Sequence, residues 1–149
     1  MKNNMRILGI DYGEARVGVA ITDSLNITAQ GLETIQRNGS DKIILKRLDE
    51  ILGIYTDIET IVVGMPYNMN GTISERAKVT QEFVHKLKCK YNKIKIETID
   101  ERLTTVEAHR TMNFLDVHKN KKKNIVDTIS AVYILETYLN KLKNSLKNN

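Results

Sequence analysis

The sequence predicts a single mixed α/β domain, residues 1–149, built on a mixed five-stranded sheet flanked by helices. Three observations predict it. Five short apolar or β-branched runs recur along the chain, and helical periodicity separates the later ones. The first runs are joined by short turns, as antiparallel neighbours are, whereas the others follow helix-length segments, as parallel ones do. At 149 residues, 41% hydrophobic and 28% charged, the chain is large enough to bury a core and has an ordinary globular composition.

The elements follow in order. Met5 to Asp11 reads as a strand apolar on both faces through Ile7, Leu8 and Ile10, as in a sheet covered on both sides. Tyr12-Gly13-Glu14-Ala15 makes a turn into a second strand, Arg16 to Thr22, and Gln30 to Gln36 forms a third. Ile44, Leu48, Ile51 and Tyr55 have helical spacing within Ser40 to Tyr55. Glu59 to Met65 is a β-branched strand closed by Gly64 and Pro66, and a polar loop, residues 67–72, follows. Thr72 with Glu75 has capping-box spacing and opens a helix from Ile73 to Tyr91. Ile94 to Ile99 is a short strand. Thr104 with Glu107 repeats the capping-box spacing before a helix to Leu115. A last helix, Ile125 to Leu146, buries Ile129, Val132, Tyr133, Leu139, Leu142 and Leu146, with 141–149 as a frayed basic tail.

Composition narrows the function classes. No run of about 18 apolar residues exists, so no membrane span is expected, and the first residues lack the apolar core of a signal peptide. One cysteine, Cys89, excludes an internal disulfide and fits a reducing, cytoplasmic setting; with no base partner evident in sequence it reads as an inert thiol. His85, His109 and His118 show no ligand spacing, and 5% aromatics without Trp argues against a stacking platform for single strands. Residues 1–116 carry sixteen basic and sixteen acidic side chains, whereas 117–149 carry seven lysines against Asp127 and Glu136. That excess of positive charge suits either a polyanionic partner or a solvated helix end.

Three acidic residues stand at the ends of elements. Asp11 ends the first strand, Glu101 follows the strand 94–99, and Asp127 lies in the first turn of the last helix. Carboxylates at the rim of a covered sheet need a partner or a metal. Each also has a plainer role: Asp11 starting a turn, Asp127 opposing a helix dipole, Glu101 pairing with Arg102 or Arg110.

Ile7-Leu-Gly-Ile-Asp11-Tyr-Gly-Glu-Ala-Arg16-Val-Gly18-Val-Ala20 resembles the opening motif of the YqgF family, also called RuvX. The likeness continues at Val62-Val-Gly-Met-Pro66, Asn68-Met-Asn-Gly71-Thr72, Arg76-Ala77, Asp100-Glu101-Arg102-Leu103-Thr104-Thr105 and Val126-Asp127-Thr-Ile-Ser130-Ala131. Together these cover about residues 6–140. One departure is that Ser74-Glu75 stand where family members commonly have Gly-Pro. The family is described as Holliday-junction resolvases and is associated with maturation of the 16S ribosomal RNA precursor.

The resemblance implies a ribonuclease H-like fold that gathers Asp11, Glu101 and Asp127 as metal ligands and catalytic residues around one or two Mg2+ (or Mn2+) ions, with Asp11 shared. It implies a hydrolase acting on structured nucleic acid, processing the 5′ end of pre-16S rRNA or, alternatively, cutting branched DNA, as a monomer or homodimer. A non-catalytic nucleic-acid-binding module is the alternative of another class, disfavoured by three intact carboxylates. Arg16 and Arg102 suit phosphate contact or carboxylate orientation. Lys119, Lys121, Lys122 and Lys123 precede Asp127 and suit phosphate.

Overall fold

A computed structural model describes the backbone of residues 5–103 and 119–147, and the side chains of residues 5–102 and 128–146. The helix expected from Thr104 to Leu115, with His109 and His118, lies outside the described residues.

Strands β1 (Arg6–Tyr12), β2 (Arg16–Thr22) and β3 (Ala29–Gln36) form an antiparallel meander. Strands β4 (Ile58–Met65) and β5 (Lys95–Asp100) add in parallel on the other side of β1, giving the order β3-β2-β1-β4-β5. The mixed five-stranded sheet is therefore as expected, each strand within one residue of its expected limits. β1 is central because two neighbours cover both its edges, which suits its unbroken apolar run.

Period-two alternation divides each strand between two layers. Leu8, Ile10, Tyr12, Val17, Val19, Ile61 and Val63 face helices α1 (Asp41–Ile54) and α2 (Glu75–Lys90), meeting Ile44, Leu48, Ile51, Phe83 and Leu87. Ile7, Ala20, Val62 and Ile99 face the opposite way, toward α3 (Lys119–Lys147), where they meet Ala131, Ile134, Leu135 and Tyr138.

The second face is lined with small residues, so α3 lies close against it. A methyl group on Gly9 would come within 2.6 Å of Leu135 Cγ and 3.0 Å of the Ala131 carbonyl oxygen. One on Gly31 would come within 3.0 Å of Thr128 Cβ.

Three helix-end expectations are corrected. The N-cap of α2 is Ser74, whose Oγ accepts from Ala77 N at 3.0 Å, so the Thr72–Glu75 capping box does not form. Thr72 instead hydrogen-bonds within its loop, its hydroxyl donating to Asn70 Oδ1 at 2.7 Å. Second, α3 begins at Lys119, six residues before Ile125, because lysines with alkyl stems are good helix formers and no breaker interrupts them. It runs on to Lys147. Third, its buried stripe is Ala131, Ile134, Leu135 and Tyr138, with the expected Val132 and Leu139 packed partly buried at its margin, whereas Leu142 and Leu146 stay exposed beside Ile27 of the β2–β3 loop. The close approach to Gly9 and Gly64 selects which helix face is buried, and apolar periodicity alone could not see those glycines.

Candidate active site

The parallel strands β1, β4 and β5 end at Tyr12, Met65 and Asp100, all at one edge of the sheet. Open α/β sheets collect ligands at such carboxyl ends. Asp11 is the penultimate residue of β1 and half-buried. It alternates with Gly9 and so faces α3, opposite Gly18 of β2.

Glu101 is the first residue of a 3-10 turn (Glu101–Leu103) directly after β5, and it is half-buried. Ile99 faces α3, and Glu101 continues that side: its Cδ lies 3.5 Å from where a Gly64 Cβ would be. Gly64 follows Val63, which pairs with Ile10. A glycine therefore lies between the strand ends that carry Asp11 and Glu101, and Ile134 of α3 and the Glu101 carboxyl close over it in the space a side chain would fill. Neighbouring strands are about 4.8 Å apart, so both carboxylates border one cradle two strand spacings wide.

Asp127 is the ninth residue of α3. Its backbone lies in the third helical turn, beyond the range of a helix-dipole role, which fades within the first turn. That corrects its expected place in the first turn. Thr128, the next residue, sits against Gly31 of β3, and the Ala131 carbonyl sits over Gly9. The backbone around Asp127 thus passes over the sheet face that bears Asp11. The side chains of Asp127, Lys119 and Lys121 to Lys123 lie outside those described. Among the described residues, no three His, Cys, Asp or Glu side chains are grouped closely enough to hold an ion.

Arg16 opens β2, half-buried, on the same face as Gly18 and two residues further toward the turn. It is a diagonal cross-strand neighbour of Asp11, within reach of a long side chain. Arg102 engages the neighbouring carboxylate of Asp100 and the loop before α2. Its Nε donates to Asp100 at 3.0 Å, its Nη2 to Asp100 at 2.5 Å and its Nη1 to the Met69 carbonyl at 3.2 Å. The guanidinium also lies over the Tyr67 ring. Arg102 thereby ties the loop 66–74 to the turn that carries Glu101, and its hydrogen bonds hold the Asp100 carboxyl below the usual range.

Sequence reasoning missed three contributors. Gly64 read only as the end of a strand. Arg76, the second residue of α2, donates from Nη2 to the Tyr12 carbonyl at 2.6 Å. Tyr12 itself donates to Asp41 Oδ1 at 2.5 Å and stacks on Phe83 with centroids 4.2 Å apart. Burial, then the hydrogen bond to Asp41, raises the Tyr12 phenol above its ordinary range. Burial also pushes the Asp41 carboxyl up. Hydrogen bonds from Lys86 and Tyr12 and the charges of Lys86 and Arg37 outweigh it and hold Asp41 low. An arginine in the first turn of a helix, against the dipole, and its place in the family motif Arg76-Ala77 were the available signals.

Cys89 is exposed, and its Sγ lies 3.5 Å from His85 Nε2 one helical turn away, so it does have a neighbouring base. No helix of the described residues is long and apolar enough to cross a membrane.

A five-stranded β3-β2-β1-β4-β5 sheet with acidic residues at its carboxyl edge can be compared with known proteins. The family model of RuvX, Holliday junction resolvase, matches residues 5–141. The chain belongs to the RuvX family. A RuvX-family relative from Ruminiclostridium cellulolyticum, named as a candidate pre-16S rRNA nuclease, is 51% identical over 143 residues, covering 96% of this chain and 99% of its own. One of the same name from Acetivibrio thermocellus is 48% identical over 135 residues, covering 91% and 95%. Among solved structures, Thermus thermophilus RuvC with a Holliday junction substrate superposes with a TM-score of 0.56 at 11% identity, covering 92% of this chain and 96% of that one. The fowlpox virus Holliday junction resolvase gives 0.51 at 15% identity, covering 93% and 99%. At those identities the likeness speaks for the fold, which is that of the ribonuclease H-like resolvases.

Proposed function

We propose that this RuvX-family chain is a metal-dependent nuclease that hydrolyses phosphodiester bonds of structured nucleic acid and processes the 5′ end of pre-16S rRNA. The observation that carries the chemistry is the Gly64 cradle, with Asp11 and Glu101 on one sheet face and the Asp127 segment of α3 passing over it. Hard carboxylate oxygens suit Mg2+ or Mn2+, which keep several waters beside one or two protein carboxylates. The names of the relatives supply the substrate.

In this reading Asp11, Glu101 and Asp127 are the residues that would hold one or two divalent ions. Such an ion supplies Lewis-acid stabilisation of the phosphate and a more acidic attacking water. The protein residues do the rest. The carboxylates fix the scissile phosphate at the sheet edge, Arg16 orients Asp11 or a phosphate oxygen, and the lysines of the first turns of α3 attract the polyanion. Water adds to phosphorus in line and releases its proton to solvent as the bond to the 3′ oxygen breaks, and that oxygen takes a proton from solvent. Arg102 acts through the loop it clamps.

Branched DNA is the second reading, favoured by the RuvX description and by the fold shared with junction resolvases. Phosphate contacts carry no base information, so the site chemistry serves either substrate. Labelled precursor rRNA, a four-way junction and a linear duplex, each with Mg2+ or Mn2+, separate the readings. Cleavage of the precursor that disappears in Asp11→Asn is expected. Equal cleavage by both proteins would refute the assignment of Asp11, and no cleavage of any substrate by the wild type would leave a binding module.

A further inference from the structure

The residue after Asp11 is held with unusual thoroughness, and the hold comes mostly from the side of the sheet that the carboxylates do not face. The pairing of β1 with β4 ends at Ile10↔Val63, while that with β2 continues through Asp11↔Gly18 and Tyr12↔Val17. Among the described residues, the central strand is therefore laddered on one edge only from Asp11 onward. A one-sided strand end leading into a glycine turn is free to twist, and a twist there re-aims every side chain it carries.

Arg76 replaces the missing edge. Its Nη2 donates to the Tyr12 carbonyl at 2.6 Å, across 64 residues of sequence. The base of Arg76 is itself rigid. Ser74 Oγ caps α2 and donates to the Pro66 carbonyl at 2.9 Å, and Thr80 Oγ1 donates to the Arg76 carbonyl at 2.8 Å. Ala77, Thr80 and Phe83 bury the same helix against the sheet. On the other flank Arg37 Nη1 donates to the Glu14 carbonyl at 3.3 Å, and the Arg37 amide donates to the Ala15 carbonyl at 3.0 Å. The Tyr12 ring is fixed by Asp41 and Phe83. A cation in the first turn of a helix opposes the macrodipole, so the placement of Arg76 costs α2 some stability and is not explained by the helix alone.

We propose that Arg76 is a positioning residue for Asp11: by holding the Tyr12 carbonyl it fixes the strand end and thereby aims the Asp11 carboxylate into the Gly64 cradle. The inference rests on the reading of Asp11 as a metal ligand. Arginine suits the task because its planar charged donor makes a strong, directed bond to a carbonyl, which a flexible lysine makes less well.

The test measures Mn2+ binding to the full chain by the electron paramagnetic resonance signal of free Mn2+, alongside melting temperature and cleavage kinetics. Outer partners that orient a ligand typically change metal affinity by about 10–100-fold. Arg76→Ala is expected to weaken Mn2+ binding by about tenfold and to lower kcat with KM nearly unchanged. Arg76→Lys should recover part of both, and it serves as the folded comparison if the alanine variant melts early. Wild-type affinity in Arg76→Ala while Asp11→Asn loses binding would overturn the positioning role and leave the metal reading intact. A raised KM with unchanged kcat and Mn2+ affinity would make Arg76 a phosphate contact and overturn it too. Identical Mn2+ binding by the wild type and Asp11→Asn would overturn the metal reading, and the positioning role with it.

Discussion

Gly64→Ala tests the cradle directly. The new methyl would sit 2.5 Å from Ile134 Cδ1, 3.1 Å from Ile134 Cγ1 and 3.5 Å from Glu101 Cδ. Carbon atoms pack best at about 3.5–4.0 Å, so Cδ1 must move by about 1 Å. Ile134 is fully buried, and such overpacking costs about 1–3 kcal/mol. Stiffening the unfolded chain by replacing glycine returns about 0.4–1 kcal/mol. The net loss is therefore about 0–2.6 kcal/mol, which lowers the melting temperature by up to about 10 °C for a chain of this size. Ile134→Val alone should cost about 0.5–1.5 kcal/mol, and it removes the atom that clashes. The double variant should consequently melt close to Ile134→Val, not at the sum of the two losses. Cleavage by Gly64→Ala should fall even well below its melting point, since Glu101 is in contact with the added methyl. Calorimetric melts of the four proteins of this cycle decide the matter. Strictly additive losses, with full activity in Gly64→Ala, would refute the reasoning.

Three further outcomes are expected. Gly9→Ala should destabilise more than Gly64→Ala, by about 3 kcal/mol or more in urea unfolding, because the added methyl meets a backbone carbonyl at 3.0 Å that moves only if α3 does. The Asp41 carboxyl is held low in the folded state, so its stabilisation is complete above the unfolded carboxylate pKa of about 3.9 and is lost as pH falls through the folded value. Melting temperatures from pH 6 to pH 3 should therefore fall less steeply in Asp41→Asn than in the wild type. Changing Lys119, Lys121, Lys122 and Lys123 to Gln should flatten the slope of log K against log[salt] for RNA by roughly two to three units. Parallel lines with equal intercepts would make that end of α3 a solvated surface.

What the sequence determined by itself was what local pattern encodes. Strand limits were legible because β-branched and apolar runs such as Thr60 to Val63 and Val17 to Ile21 admit little else, and the turn at residues 12–15 fixes a hairpin. The carboxylates were legible as positions, since Asp11 and Glu101 interrupt or follow apolar runs. The family motifs joined them to Asp127. Helix ends were less so: Ser74 and Thr72 are both good caps, and only the pull of the Pro66 carbonyl on Ser74 decides between them. The tertiary structure alone decided which stripe of α3 is buried, because the helix packs into hollows that Gly9, Gly31 and Gly64 provide from three different strands. It also decided that Arg102 is spent on Asp100 and Met69, and that Arg76 reaches the end of β1. The contacts of Arg102 with Met69 and of Arg76 with Tyr12 join residues far apart in the chain, and neither periodicity nor propensity carries information about partners at that distance.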